Sequence, residues 1–274
     1  MTKPFQPHIV FLLLAALWSC GEGRLPVADI REEGLQREFT EAEQVKGREL
    51  IQLMEAASGG LEAWQALGSV SFVQEAEWYG RKMMSHWDTV PQQFRLESLP
   101  GRGDGKLTLL NGPTKGQAWE LEGEVMYRLS EDGSRKAEEN EAFQNKILYK
   151  NYWFQFPFRI GEAPFIAYAG PGRVGEITYE RVYATWGSFE ANGEYDQFLL
   201  YLHPETYQME YLYFTVRDAF DLAKLHAHFT DFRQVDSVFS LPFAQYVRAG
   251  KPGAEGVRLH ENHYLEISVS KKEE

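Results

Sequence analysis

The chain has 274 residues, a formal net charge of −12, 14% aromatic residues and a single cysteine. An acidic balance with no basic stripe argues against a nucleic-acid-binding surface and against a broad electrostatic grip on anionic lipid headgroups. One cysteine excludes an intramolecular disulfide, so the fold must hold together through its core.

The first element is an apolar run. Lys3 supplies a positive start, Ile9 to Leu17 an apolar stretch, and Leu17-Trp18-Ser19-Cys20 closes it. The run is about half the ~20 residues that a membrane-spanning helix needs, and Gly21-Glu22-Gly23-Arg24 stops it at once. An ordinary secretory signal prefers small residues at both flanking positions of the cut. Leu17 and Ser19 suit a bacterial lipoprotein signal better, in which Cys20 is lipidated and becomes the new N-terminus; the bulk of Trp18 is the irregular feature. Plain secretion and an uncleaved apolar N-terminus are the alternatives. Residues 1–19 are thus expected to be a signal, 20–40 a flexible Gly- and Glu-punctuated tether, and 41–274 one domain. A twenty-residue tether spans at most ~70 Å. Gly21 stands where an aspartate would retain a lipoprotein in the inner membrane of some bacteria, so the expected location is the outer membrane.

Thr40-Glu41-Ala42-Glu43 reads as a capping box opening a helix. Val45, Leu50, Leu53, Met54 and Ala57 form its apolar stripe, and Gly59-Gly60 ends it. A short second helix carries Leu61, Trp64 and Leu67. From Ser69 the period changes to two: Val70, Phe72, Ala76 and Trp78 share one face of a strand. The same alternation recurs at Phe94 and Leu96, at Val125, Tyr127 and Leu129, and at Phe198, Leu200 and Leu202. It returns at Leu212, Phe214 and Val216, and at Leu265, Ile267 and Val269. Asn111-Gly112, Asp132-Gly133 and Asn192-Gly193 suit hairpin turns, and His203-Pro204-Glu205-Thr206 a type I turn. The pattern is mainly β with α: about nine to eleven strands in an antiparallel meander, which must pack on something or close on itself. Residues 135–156 interrupt it. Phe143, Ile147 and Phe154 mark a helical face there, and Pro157 is expected to end the helix. Such a helix can cover the sheet or plug its mouth.

Four landmarks occur in order. These are Ala57-Ser58-Gly59-Gly60-Leu61-Glu62-Ala63-Trp64 before the first strand, Tyr152-Trp153-Phe154-Gln155-Phe156-Pro157-Phe158, then Phe198 through Thr206, and Leu241-Pro242-Phe243. Over roughly residues 44–270 this order resembles an uncharacterised Bacteroidota-type lipoprotein family, itself similar to the periplasmic lipoprotein carrier and its outer-membrane receptor (LolA/LolB-like). The resemblance implies a half-open antiparallel β-barrel with N-terminal helices and an inserted helix over the concave face, and a cavity that takes acyl chains. No position here matches the receptor's membrane-inserting loop or the carrier's functional arginine.

Candidate site residues follow from the aromatics. Trp78, Trp87, Trp119, Trp153, Phe154 and Phe156 are expected either to line an apolar cavity or simply to fill the core. His226 and His228 alternate on one strand face, expected toward solvent; with His260, His263 or Asp231 they have the residue types of a zinc site, at a common spacing. Asp218 and Asp221 are a carboxylate pair that nothing singles out, and Arg102-Gly103-Asp104 is an adhesion tripeptide by letters only. No nucleophile elbow, metalloprotease helix or phosphate-binding loop is present. No cofactor is expected. Three readings stay open: a lipid-anchored module binding a lipid or acyl chain, an interaction lipoprotein docking onto an envelope protein partner, and a metal- or carboxylate-dependent hydrolase. The first is preferred.

Overall fold

A computed structural model describes residues 27–79, 91–217 and 220–272. Two helices lead into the sheet, α1 (Glu41–Ala57) and α2 (Leu61–Gln65), and a third, α3 (Glu141–Arg159), is inserted midway. The strands are β1 (Leu67–Trp78), β2 (Gln92–Ser98), β3 (Gly105–Leu109), β4 (Ala118–Glu122), β5 (Val125–Leu129) and β6 (Arg135–Ala137). After α3 come β7 (Phe165–Val174), β8 (Ile177–Thr185), β9 (Gln197–Leu202), β10 (Met209–Val216), β11 (Phe220–Val235), β12 (Phe239–Ala249) and β13 (Arg258–Lys271). All thirteen make one antiparallel sheet in the order β6-β5-β4-β3-β2-β1-β13-β12-β11-β10-β9-β8-β7. The ends do not meet, so the barrel is half open. Thirteen strands exceed the nine to eleven expected, because short pieces such as the charged, exposed β6 carry no alternation to read.

Thr40 and Glu43 form the expected capping box: the Glu43 amide donates to Thr40 Oγ1, and the Thr40 amide to Glu43 Oε2 at 2.8 Å. The buried face of α1 is rotated from the expected stripe. Gly47, Leu50, Ile51 and Met54 are buried, whereas Val45 and Leu53 are exposed. Gly47 sets the rotation, since a Cβ there would stand 2.8 Å from Ala167 Cα. The helix therefore rests directly on the β7 backbone. Trp64 of α2 is fully buried, stacked on Phe158 at 4.3 Å and edge-on to Phe239 at 5.4 Å.

Two strand faces differ from the alternation read in sequence. On β5, Met126 is buried and Val125 exposed, one residue out of phase. On β13, the pairing with β1 jumps from Val73↔Glu266 to Gln74↔Tyr264, so Leu265 is an extra residue. The bulge turns Leu265 outward and reverses the parity: Ile267 and Val269 face the core after it, and His260, Asn262 and Tyr264 before it.

Apolar side chains gather in two clusters on the concave side, one around Phe72, Leu96, Leu107 and Trp119, the other around Leu200, Leu212, Phe214 and Ala227. A third lies on the convex side. There Ile30, Leu35 and Phe39 pack on Ala167, Tyr183, Leu199 and Tyr201. Because both faces of β9 are covered, all six of its residues are buried. This corrects the tether reading from Val27 onward. The Ile30 amide donates to Gln197 Oε1 at 2.9 Å, Lys224 Nζ to the Asp29 carbonyl at 2.7 Å, and Arg217 to the Ala28 carbonyl. Residues 27–39 are a strap on the back of the sheet; the polar composition of the segment hid its three spaced apolar anchors.

Candidate functional site

The site is built around α3. This helix is buried nearly all round, with Lys146, Ile147, Lys150, Asn151 and Trp153 to Phe158 all out of solvent. Phe143, Ile147 and Phe154 join the first concave cluster, as the helical spacing implied, together with Phe158 beyond the expected end, while Trp153, Phe156 and the following Ile160 join the second. The helix is thus a wedge between two apolar half-cores. Pro157 does not end it: the proline sits in the last turn and α3 runs on to Arg159. Only one intrahelical bond, to the carbonyl of Trp153, is lost there, and the buried Phe156 and Phe158 hold the turn closed.

Among the described residues, the polar ties of α3 to the sheet run through side chains. Ser98 Oγ donates to Asn151 Oδ1 at 2.9 Å, and Asn151 Nδ2 donates to the carbonyls of Arg102 and Asp104 at 2.8 and 3.1 Å. Gln155 Nε2 donates to Asn151 Oδ1 at 2.6 Å, and the Gly101 amide donates to Gln155 Oε1 at 2.7 Å. The Arg102-Gly103-Asp104 loop is therefore a clasp on α3, used through its backbone, with Arg102 and Asp104 ion-paired to each other at 3.1 Å.

A polar cluster lies at the other side of the wedge. Lys150 Nζ donates to Asn262 Oδ1 at 2.7 Å, Asn262 Nδ2 to Gln245 Oε1 at 2.7 Å, and Lys146 Nζ to Gln92 Oε1. Burial, with Lys146 adding repulsion, holds Lys150 well below the usual lysine range. Burial and the Lys150 charge push His260 down to about 3. Gln74 Oε1 is buried with no hydrogen-bond donor among the described residues. These amides and lysines went unread because their residue types usually mark a surface; the trace they leave is Lys146 and Lys150, one turn apart in an aromatic helix.

The aromatic candidates fall into place as follows. Trp119 is buried and stacked on Phe143 at 5.0 Å. Trp153 lies 4.8 Å from Phe214 and stacks on Phe156 at 5.7 Å, and Phe156 faces Phe198 at 5.5 Å. Phe154 meets Phe72 at 4.4 Å. Trp78, half-buried at the end of β1, is edge-on to His260 at 5.1 Å. Trp87 and Cys20 lie outside the described residues. Four of the six residues thus converge on the seams between α3 and the sheet. The voids in those seams are small: about 20 Å³ between Trp153, Phe154, Met209, Phe229, Leu241 and Tyr264, and about 10 Å³ beside Lys150 and His260, room for about one water each.

The histidines do not converge. His226 and His228 are on the convex face and His260 on the concave one. His226 is buried rather than solvated, with Nδ1 2.9 Å from the Gly250 carbonyl, and His228 stacks on Tyr211 at 4.2 Å. Asp231 pairs with Arg233 at 2.5 Å, and no cluster of metal-ligating side chains occurs among the described residues. Asp218 and the side chain of Asp221 lie outside the described residues.

No protein-family model matches the chain, and no curated protein matches it by sequence. Solved structures do resemble it. One, described as an outer membrane lipoprotein-sorting protein domain from Vibrio parahaemolyticus, has a TM-score of 0.52 at 11% identity, over 84% of this chain and 95% of its own. Another, a LolA superfamily protein from Nitrosomonas europaea, has a TM-score of 0.51 at 9% identity, over 83% of this chain and 94% of its own. The half-open sheet, its two N-terminal helices and the wedge helix are together a LolA-like fold.

Proposed function

We propose that the protein is a cell-envelope lipoprotein, lipidated at Cys20 and held at the outer membrane, that binds an apolar ligand, a lipid or acyl chain, between α3 and the concave face of its sheet, without catalysing a reaction. The observation that carries this reading is the construction of α3. An aromatic helix separates two apolar half-cores, and its polar ties to the sheet are side-chain bonds at Asn151, Gln155, Lys146 and Lys150. Lifting such a helix exposes two apolar half-cores on either side of the buried polar cluster, with Trp119 on the sheet, Trp153, Phe154 and Phe156 on the helix and Trp78 at the edge. The present voids are far below the ~300 Å³ at which ligand pockets begin, so binding requires α3 to move and the chain to replace its side-chain contacts. The LolA-like fold of solved lipoprotein-sorting domains supports the same reading.

Native mass spectrometry with organic extraction, on the full chain carrying Cys20→Ser and purified from a bacterial envelope fraction, tests it. The expected result is a reproducible added mass that extracts as lipid. A clean apo mass that persists after incubation with total membrane lipid contradicts it. That outcome moves the weight to an interaction lipoprotein docking onto an envelope protein, the reading that a tightly packed interior favours.

A further inference from the structure

A second site lies at the edge of the half-barrel core, beside α1 and α2. A groove of about 290 Å³ runs between α1, α2 and the turn after α3, near the lower end of ligand-pocket sizes and far roomier than the voids under the wedge. Its apolar lining is Ile51 from α1, Leu61 from α2, Phe158 from α3 and Ile166 from β7, and its rim carries Arg48, Gln52, Gln65 and Glu162. Between the two stands the Glu55 carboxyl. Glu55 is 9% exposed and lines the groove, and its carboxyl makes no hydrogen bond or ion pair with any described residue. Burial alone pushes its pKa up.

The carboxyl is cradled. A Cβ on Gly161 would come within 2.8 Å of Glu55 Oε1 and 3.3 Å of Ile51 Cγ2, so the glycine leaves room for the carboxylate where any other residue would displace it. The neighbouring charges do not neutralise it. Arg48, two turns back on α1, donates to the Pro164 carbonyl at 2.9 Å, and Glu162 is engaged with Arg159 at 3.7 Å. The carboxyl is partly desolvated and has no partner of opposite charge; a cation that arrives with its own apolar body offsets that desolvation while covering the apolar lining.

We propose that this groove binds an alkylammonium ligand, with the ammonium on Glu55 and the alkyl body against Ile51, Leu61, Phe158 and Ile166. The site is separate from the α3 seam in position and opposite to it in charge. Octylamine is the probe, with octanol and octanoate as controls, titrated by calorimetry into the full chain carrying Cys20→Ser. Octylamine should bind, octanol and octanoate at least tenfold more weakly, and Glu55→Gln should cost at least tenfold in octylamine affinity. Gly161→Ala, whose new methyl group occupies the cradle, should cost a similar factor. Thermal melts of both variants verify that they fold; Glu55→Gln removes a buried charge and keeps the shape. Shifts in the NMR signals of Gln52, Gln65 and Gly161 on titration, which line the groove and belong to neither concave cluster, place the ligand here and not under α3. No octylamine binding, equal binding by Glu55→Gln, or octanol binding as tight as octylamine overturns the proposal, and none of these bears on lipid binding at the wedge.

Discussion

His260 has the most exposed consequence at the scale of single residues. Its folded pKa of about 3 lies below the ordinary 6.5 because burial, and then the Lys150 charge, oppose protonation. The unfolded chain therefore binds a proton there between those values while the native protein does not. The stability that His260 contributes is lost as pH drops through about 6.5 and stops changing near 3. Lys150, also held low, works with the same sign from its own ordinary value downward. The expected result is that His260→Gln flattens the acid-side decline of the melting temperature between pH 7 and pH 4 relative to wild type; parallel curves would contradict this placement of His260. At this scale the sequence was partly legible. Aromatic residues such as Trp119 and Phe156 read as buried because apolar type and burial go together. The buried Lys150, Asn262 and Gln74 did not, since only tertiary packing takes such groups out of water. His226 misled for the same reason: its strand parity was read correctly, but the Gly250 carbonyl covers it.

Single elements are set by local chemistry where that chemistry is strong. The capping box at Thr40 is visible in four letters, and Thr40→Ala should cost about 1 kcal/mol of stability, measured by denaturant unfolding. Close approach is less visible. Gly47 touches the β7 backbone, so Gly47→Ala should destabilise by about 1–3 kcal/mol although alanine is the better helix former. A neutral or stabilising result would show that α1 does not rest on Ala167. Asn151 bridges Ser98, Gln155 and the Arg102 loop. Asn151→Ala should cost about 1–3 kcal/mol by leaving buried partners unpaired, and should raise hydrogen exchange in α3 more than in α1. The faces of β5 and β13 were not legible, because a period of two carries no protection against a one-residue slip or a bulge. Leu265 shows this: nothing in its neighbours marks it as the extra residue. The hairpin at Asp236 and Ser237 also escaped notice, since both adopt positive φ without the Asn-Gly or Asp-Gly signature.

The whole molecule is an open thirteen-stranded sheet that wraps a wedge helix on one face and wears an N-terminal strap on the other. The class and the covering helix were readable from alternation, turn residues and the aromatic insert. The strap was not, because burial of Ile30, Leu35 and Phe39 depends on β8 and β9, which lie far along the chain. The strap limits the reach of the proposed anchor. With the proposed lipid on Cys20, six residues lie between the anchor and Val27, a reach of ~25 Å at full extension, against ~70 Å for a free tether of twenty residues. Neutron reflectometry of the lipidated protein on a supported bilayer should place the folded body within the shorter distance; a gap well beyond it would mean that the strap is released at the membrane.

Movement of α3 is what the ligand-binding account stands or falls on, and hydrogen–deuterium exchange of the full chain carrying Cys20→Ser, with and without added membrane lipid, reads it most directly. The account predicts that lipid changes exchange across residues 141–159 and in the facing strands β9 to β12, while α1 and the strap at residues 27–39 stay constant. Exchange in α3 that is the same with and without lipid would contradict it.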